Sequence, residues 1–197
     1  MTRIQADRRI GFHFSKPQRW QFFLLAALPV HFWAWIKWFQ EFEAISQRYG
    51  QWDALGVGGY FMVYALFESA VIFGILTLIL LLLPRRWDQD TVFAVTAALY
   101  LALAGWFILE QARFLAVVPE EVWFFRRVQH LQSITTRAGV VTALSFAASL
   151  FLPPILLLRS EKFRVAALAL FNRLTILSVL YLGVDLLAVV IVLIRNL

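Results

Sequence analysis

"GYFMVYALFESAVIFGILTLILLLLPRRW", residues 59–87, is almost continuous hydrocarbon, broken by one carboxylate at Glu68 and closed by Pro84, Arg85 and Arg86. A helix over 59–83, at ~1.5 Å per residue, is long enough to cross a ~30 Å hydrocarbon layer. The stretch lacks the alternating period of a barrel strand. Only helices and closed barrels satisfy backbone groups in lipid, so it is expected to be a membrane-spanning helix.

Four similar runs flank it, and the spans are expected near 20–40, 59–83, 91–112, 138–158 and 174–194. The 197-residue chain is 61% hydrophobic and 15% charged, with a mean hydropathy of +0.74. A soluble domain of that length needs far more polar surface. The expected fold is therefore all-α: a polytopic integral membrane bundle of about five helices plus one interfacial helix, in one domain over 1–197. Trp20, Trp38, Trp52, Tyr60 and Trp87 fall near the span ends, where amphipathic rings prefer to lie.

The first run begins near Trp20, is crowded with bulky aromatics and is followed by no small-x-small site, so it reads as a retained span rather than a cleaved signal. Cysteine is absent, which excludes disulfides, thiolate metal sites and a cysteine nucleophile. The net charge of +6 fits topology and anionic lipid better than nucleic acid, for which no motif is present.

Lys and Arg give the orientation. With the N-terminus inside, the inner segments carry Arg3, Arg8, Arg9, Lys16, Arg19, Arg85, Arg86, Arg159, Lys162, Arg164 and Arg173. The outer ones carry Arg48, Arg113, Arg126, Arg127, Arg137 and Arg195. The excess predicts a cytoplasmic N-terminus and an outer C-terminus in a prokaryotic cell (inner) membrane. The first nineteen residues, basic with Phe12, His13 and Phe14 interleaved, read as a surface anchor.

Between spans three and four, Pro119, Glu120 and Glu121 make a good helix start. Phe124, Val128 and Leu131 then share one face of residues 119–136, opposite Arg126, His130, Ser133 and Arg137. That pattern predicts a helix lying in the interface. Its expected role is to seal the bundle's outer end, with Arg126, His130 and Arg137 as candidate contacts for an anionic headgroup.

Depth along the spans brings polar groups towards one level. Glu68 lies roughly 13 Å below the outer start of span two, and Asp185 roughly 16 Å above the inner start of span five. His31, Tyr100 and Ser149 reach a similar height, so these five form a candidate mid-membrane polar layer. Ser178, Tyr181, Asp185 and Ala188 follow helical spacing and are expected to face the bundle. Small-residue stripes at Ala94, Ala98, Ala102 and Gly105, and at Gly139, Ala143 and Ala147, suit close helix approach. Pro29, Pro153 and Pro154 are expected to kink their helices.

An ionised acid in hydrocarbon costs at least ~2.5 kcal/mol, so Glu68 and Asp185 are expected to be protonated, paired or next to water. Lys37 is the nearest cation for a candidate ion pair with Glu68, and Glu110 competes for it. The layer admits four readings. It is interhelical hydrogen-bond glue, the preferred one; a proton or ion pathway through His31, Glu68 and Asp185; a metal site from the same three, which lacks any tight ligand spacing; or a contact with another chain or a lipid-like ligand.

No P-loop, dinucleotide-binding, zinc-protease or nucleophile-elbow motif occurs, and no cofactor or metal is expected. The layout, five spans with N inside and C outside, is similar to the membrane module preceding the outer catalytic domain of lipoteichoic-acid-synthase-like enzymes. That likeness is architectural, and it implies no activity for a chain that stops at Leu197. The expected function is a non-catalytic integral subunit, scaffolding or accessory, of a larger membrane complex. Its expected partners are the lipid bilayer, other membrane subunits and anionic lipid. The alternative is a small transporter or proton-coupled channel, and a membrane-embedded lipid-modifying enzyme comes third.

Overall fold

The computed structural model describes residues 15–82, 87–114 and 136–197. These form five helices: α1 (Lys16–Tyr49), α2 (Gln51–Leu82), α3 (Gln89–Phe114), α4 (Thr136–Arg159) and α5 (Glu161–Asn196). No strand occurs among the described residues. All five helices are long and apolar enough to cross a membrane. The expected interfacial helix lies outside the described residues, apart from Thr136, which opens α4.

Local chemistry sets the helix ends. Ser15 caps α1 in a reciprocal box: its hydroxyl accepts from the Gln18 backbone N–H, and the Gln18 side-chain oxygen accepts from the Ser15 N–H. Gly50 ends α1 with φ +99°, a left-handed conformation that glycine adopts without strain, and α2 starts at the next residue. Ser160 alone separates α4 from α5, and its side chain accepts from the Phe163 N–H. With turns this short, successive helices run antiparallel. One end of the bundle carries Ser15, Asp88 and Ser160, and the other carries Gly50 and Arg195.

α1 and α5 extend well beyond the spans expected from hydropathy, at 34 and 36 residues. α1 packs on α2, α3 and α5; α2 also packs on α5; α4 lies against α3 and α5. Towards the Ser15 end all five helices meet in one apolar cluster that includes Phe22, Leu25, Leu80, Val92, Phe93, Leu157 and Phe171. Phe22 and Phe93 lie 5.9 Å apart, and Phe93 and Phe171 6.4 Å, tilted so that ring edges meet faces. Two polar ties close this end: Gln18 to Asp90 at 3.0 Å and Gln21 to Asn172 at 2.9 Å.

The small-residue stripes fare differently. Ala94 of α3 is fully buried, whereas Ala143 of α4 is exposed. α4 is the least enclosed span, with Ala143 turned outward and Ala147 half-buried.

Candidate functional site

The five residues expected to form a mid-membrane layer serve four different surfaces. His31 and Asp185 are the pair that meets. α1 presents His31 at the level where α5 presents Asp185, and the side chains are fully buried, at 0% and 3% exposure. His31 Nε2 lies 2.9 Å from Asp185 Oδ2 and 3.1 Å from Oδ1. Nδ1 lies 2.9 Å from the Ala27 carbonyl, which can only accept, so this nitrogen carries a proton. The Nε2 contact then needs one more proton, and it is satisfied whether ring or carboxyl holds it. The Tyr181 ring, one turn before Asp185, stacks on the imidazole at 5.6 Å and 11°. Two helices are thereby joined by a polar contact with its hydrogen-bonding capacity used inside the bundle.

Pro29 lies in the same stretch of α1 and, having no backbone N–H, leaves the Leu25 carbonyl without its usual helical donor. One residue on, the Tyr100 hydroxyl of α3 donates to the Ala26 carbonyl at 2.6 Å and ties α3 to α1.

Ser149 ties α4 to α3. It accepts from the Trp106 indole at 2.7 Å and donates to the Phe146 carbonyl at 2.8 Å. Sequence reading missed Trp106, because a tryptophan about two turns from a span's end resembles an interface anchor.

Glu68 faces elsewhere. It lies seventeen residues into α2 and fourteen before its end, but on the outward side, beside exposed Tyr64, Phe67 and Val71. Its neighbour Ser69 is the one turned inward, fully buried and bonded to the Ala65 carbonyl at 2.6 Å. Among the described residues Glu68 makes no hydrogen bond or ion pair. α2 is apolar all round, so its own pattern does not choose which side faces in. Lys37, half-buried on α1, donates to Gln40 at 3.3 Å and lies 6.0 Å from the Trp33 ring, not against Glu68. Glu110 is half-buried near the Gly50 end of α3. Arg126 and His130 lie outside the described residues, as does the Arg137 side chain.

Sequence reading also missed the device at the Gly50 end. Arg195 of α5 pairs with Asp53 at 2.8 Å and donates to the Trp52 carbonyl at 3.0 Å. Its guanidinium rests on Gly56, where a Cβ would collide with it. Gly58 makes room in the same way for Trp38, whose indole donates to the Ala54 carbonyl at 3.0 Å. The "GVGG" of residues 56–59 was the available signal, since glycines inside an apolar helix mark close approach.

Between Arg195 and the His31–Asp185 pair lies a cleft of about 140 Å³, lined by Trp35 and Trp38 of α1, Gly58 and Met62 of α2, and Val184 and Leu187 of α5. No titratable side chain lines it. Among the described residues no three His, Asp or Glu side chains converge in a way that could hold a metal ion.

No protein-family model, curated protein or solved structure matches the chain.

Proposed function

We propose that this protein is a non-catalytic integral subunit of a larger membrane complex, with its N-terminus cytoplasmic and its C-terminus outside. The observation that carries this reading is Glu68. A carboxyl placed near the middle of a spanning helix, on its outward side and without a partner among the described residues, is costly if it faces only lipid. Cover by another membrane protein removes that cost. The other polar groups at this depth support the same reading, because they are engaged within the bundle. His31 and Asp185 hold α1 to α5, Tyr100 holds α3 to α1, and Ser149 holds α4 to α3. None of them lines the apolar cleft between α1, α2 and α5.

Purification of a tagged chain from its native membrane in mild detergent is the test. A stoichiometric partner is the expected result. A chain that purifies alone and conducts protons or solutes in liposomes would overturn the proposal in favour of a transporter.

A further inference from the structure

The outward side of α2 is a continuous seam. Tyr64, Phe67, Val71, Ile75 and Leu78 recur at spacings of three and four, the repeat by which one helix faces another. Tyr64 and Phe67 are 69% and 67% exposed, so the seam's widest side chains do not pack on their own bundle. Ala70 and Gly74 lie exposed along the same stretch, and a Cβ added at Gly74 meets nothing within 4 Å. A neighbouring backbone can approach closely there. Glu68 is the one charged residue in this seam.

We infer that the α2 seam docks a transmembrane helix of an unlike chain, and that this helix carries a basic side chain opposite Glu68. The inference rests on the subunit reading and specifies its partner. An ionised carboxylate accepts and does not donate, so what it lacks is a donor of opposite charge. A second copy of this chain meeting it seam to seam cannot supply one. Two-fold symmetry sets Glu68 against Glu68, and α2 contains no Lys, Arg or His. A basic residue on another helix neutralises the charge and satisfies the oxygens in one contact, which is how ionisable groups are generally tolerated at this depth.

The experiment uses the full chain in its native membrane. A photoreactive amino acid is placed at Phe67 or Ile75 on the seam, and at Leu144 of α4 or Val179 of α5 as controls. Seam positions are expected to crosslink an unlike chain, and the controls are not. In parallel, Glu68→Asp should retain the co-purifying partner, while Glu68→Gln should lose more than about tenfold of it, as expected when one member of a buried charge pair is removed. Crosslinks to a second copy, crosslinks from α4 or α5 alone, or full retention by Glu68→Gln would each overturn the basic-helix inference. Co-purification of an unlike partner with the unsubstituted chain would leave the subunit reading standing in each of these cases. Absence of any partner from the unsubstituted chain would defeat both.

Discussion

His31 and Asp185 show what a polar pair contributes where water is excluded. Apolar side chains gain little from leaving lipid for protein, so packing and polar contacts hold the helices together. The pair is worth most as a unit. His31→Leu alone leaves the Asp185 carboxyl buried without its hydrogen-bond partner, and a loss of about 1–3 kcal/mol is expected. In the double variant His31→Leu with Asp185→Leu no orphan remains, and most of that loss should return. Unfolding by a denaturing detergent, run on both singles and the double, checks this; an additive double variant would show that the two do not act together. A second residue reports on pH. Asp88 caps α3, and its carboxyl is held below the ordinary value of 3.8 chiefly by Thr91, whose hydroxyl lies beside it and whose N–H donates to it at 3.3 Å; burial opposes the shift and the Arg164 charge assists it. A lowered folded pKa gives stability that is complete above 3.8 and fades as pH falls through the folded value. Asp88→Asn should remove this component of the acid-side decline, measured as the midpoint of unfolding between neutral pH and pH 3.

At the scale of elements, glycine decides how close α1, α2 and α5 come at the Gly50 end. Gly58 sits against the Trp38 indole, with Cε2 only 2.6 Å from where a Cβ would stand, and that ring is fixed by its bond to the Ala54 carbonyl. Gly58→Ala should therefore cost about 1–3 kcal/mol by overpacking, despite the better helix propensity of alanine. Pairing it with Trp38→Leu should relieve most of the cost. A Gly58→Ala variant as stable as the parent would mean that α1 and α2 do not meet this closely. α5 makes the complementary point. Its buried positions, Phe171, Thr175, Ser178, Asp185 and Ala188, follow one helical stripe and leave Leu180, Leu186 and Leu187 exposed to the surroundings. A small and polar stripe turned inward with leucine turned outward is the inverse of a soluble helix, as hydrocarbon solvent dictates.

For the molecule as a whole, short turns at Gly50 and Ser160 place Ser46 and Ser160 at opposite ends of the bundle. The chain has no cysteine of its own, so single cysteines at these two positions report orientation cleanly. The proposed topology expects an impermeant thiol reagent to label Ser46→Cys from outside intact cells and to leave Ser160→Cys unlabelled. Labelling of Ser160→Cys alone would reverse the orientation. The bundle is also uneven along its length. All five helices contribute to the cluster near Ser15, while towards Gly50 α1, α2 and α5 leave the apolar cleft between them.

What the sequence by itself determined is the part that one helix and its solvent decide. Five apolar runs of sufficient length became five helices, because backbone satisfaction in lipid leaves little else. The inward stripe of α5 was legible too, since its polar and small residues recur on one side and mark the side that must avoid lipid. The partners of those residues were not legible. Depth put His31, Glu68, Tyr100, Ser149 and Asp185 at one level, but level says nothing about direction around each helix axis. In α2, apolar on every side, no pattern distinguishes Glu68 from Ser69 as the residue to turn inward. The tertiary structure made that choice: Ser69, small enough to bond its own backbone, faces the bundle, and Glu68 is turned out. It likewise selected Tyr100 for the Ala26 carbonyl and Arg195 for the space above Gly56. Such pairings depend on rotation and register between helices far apart in the chain, which only packing of the whole bundle can set.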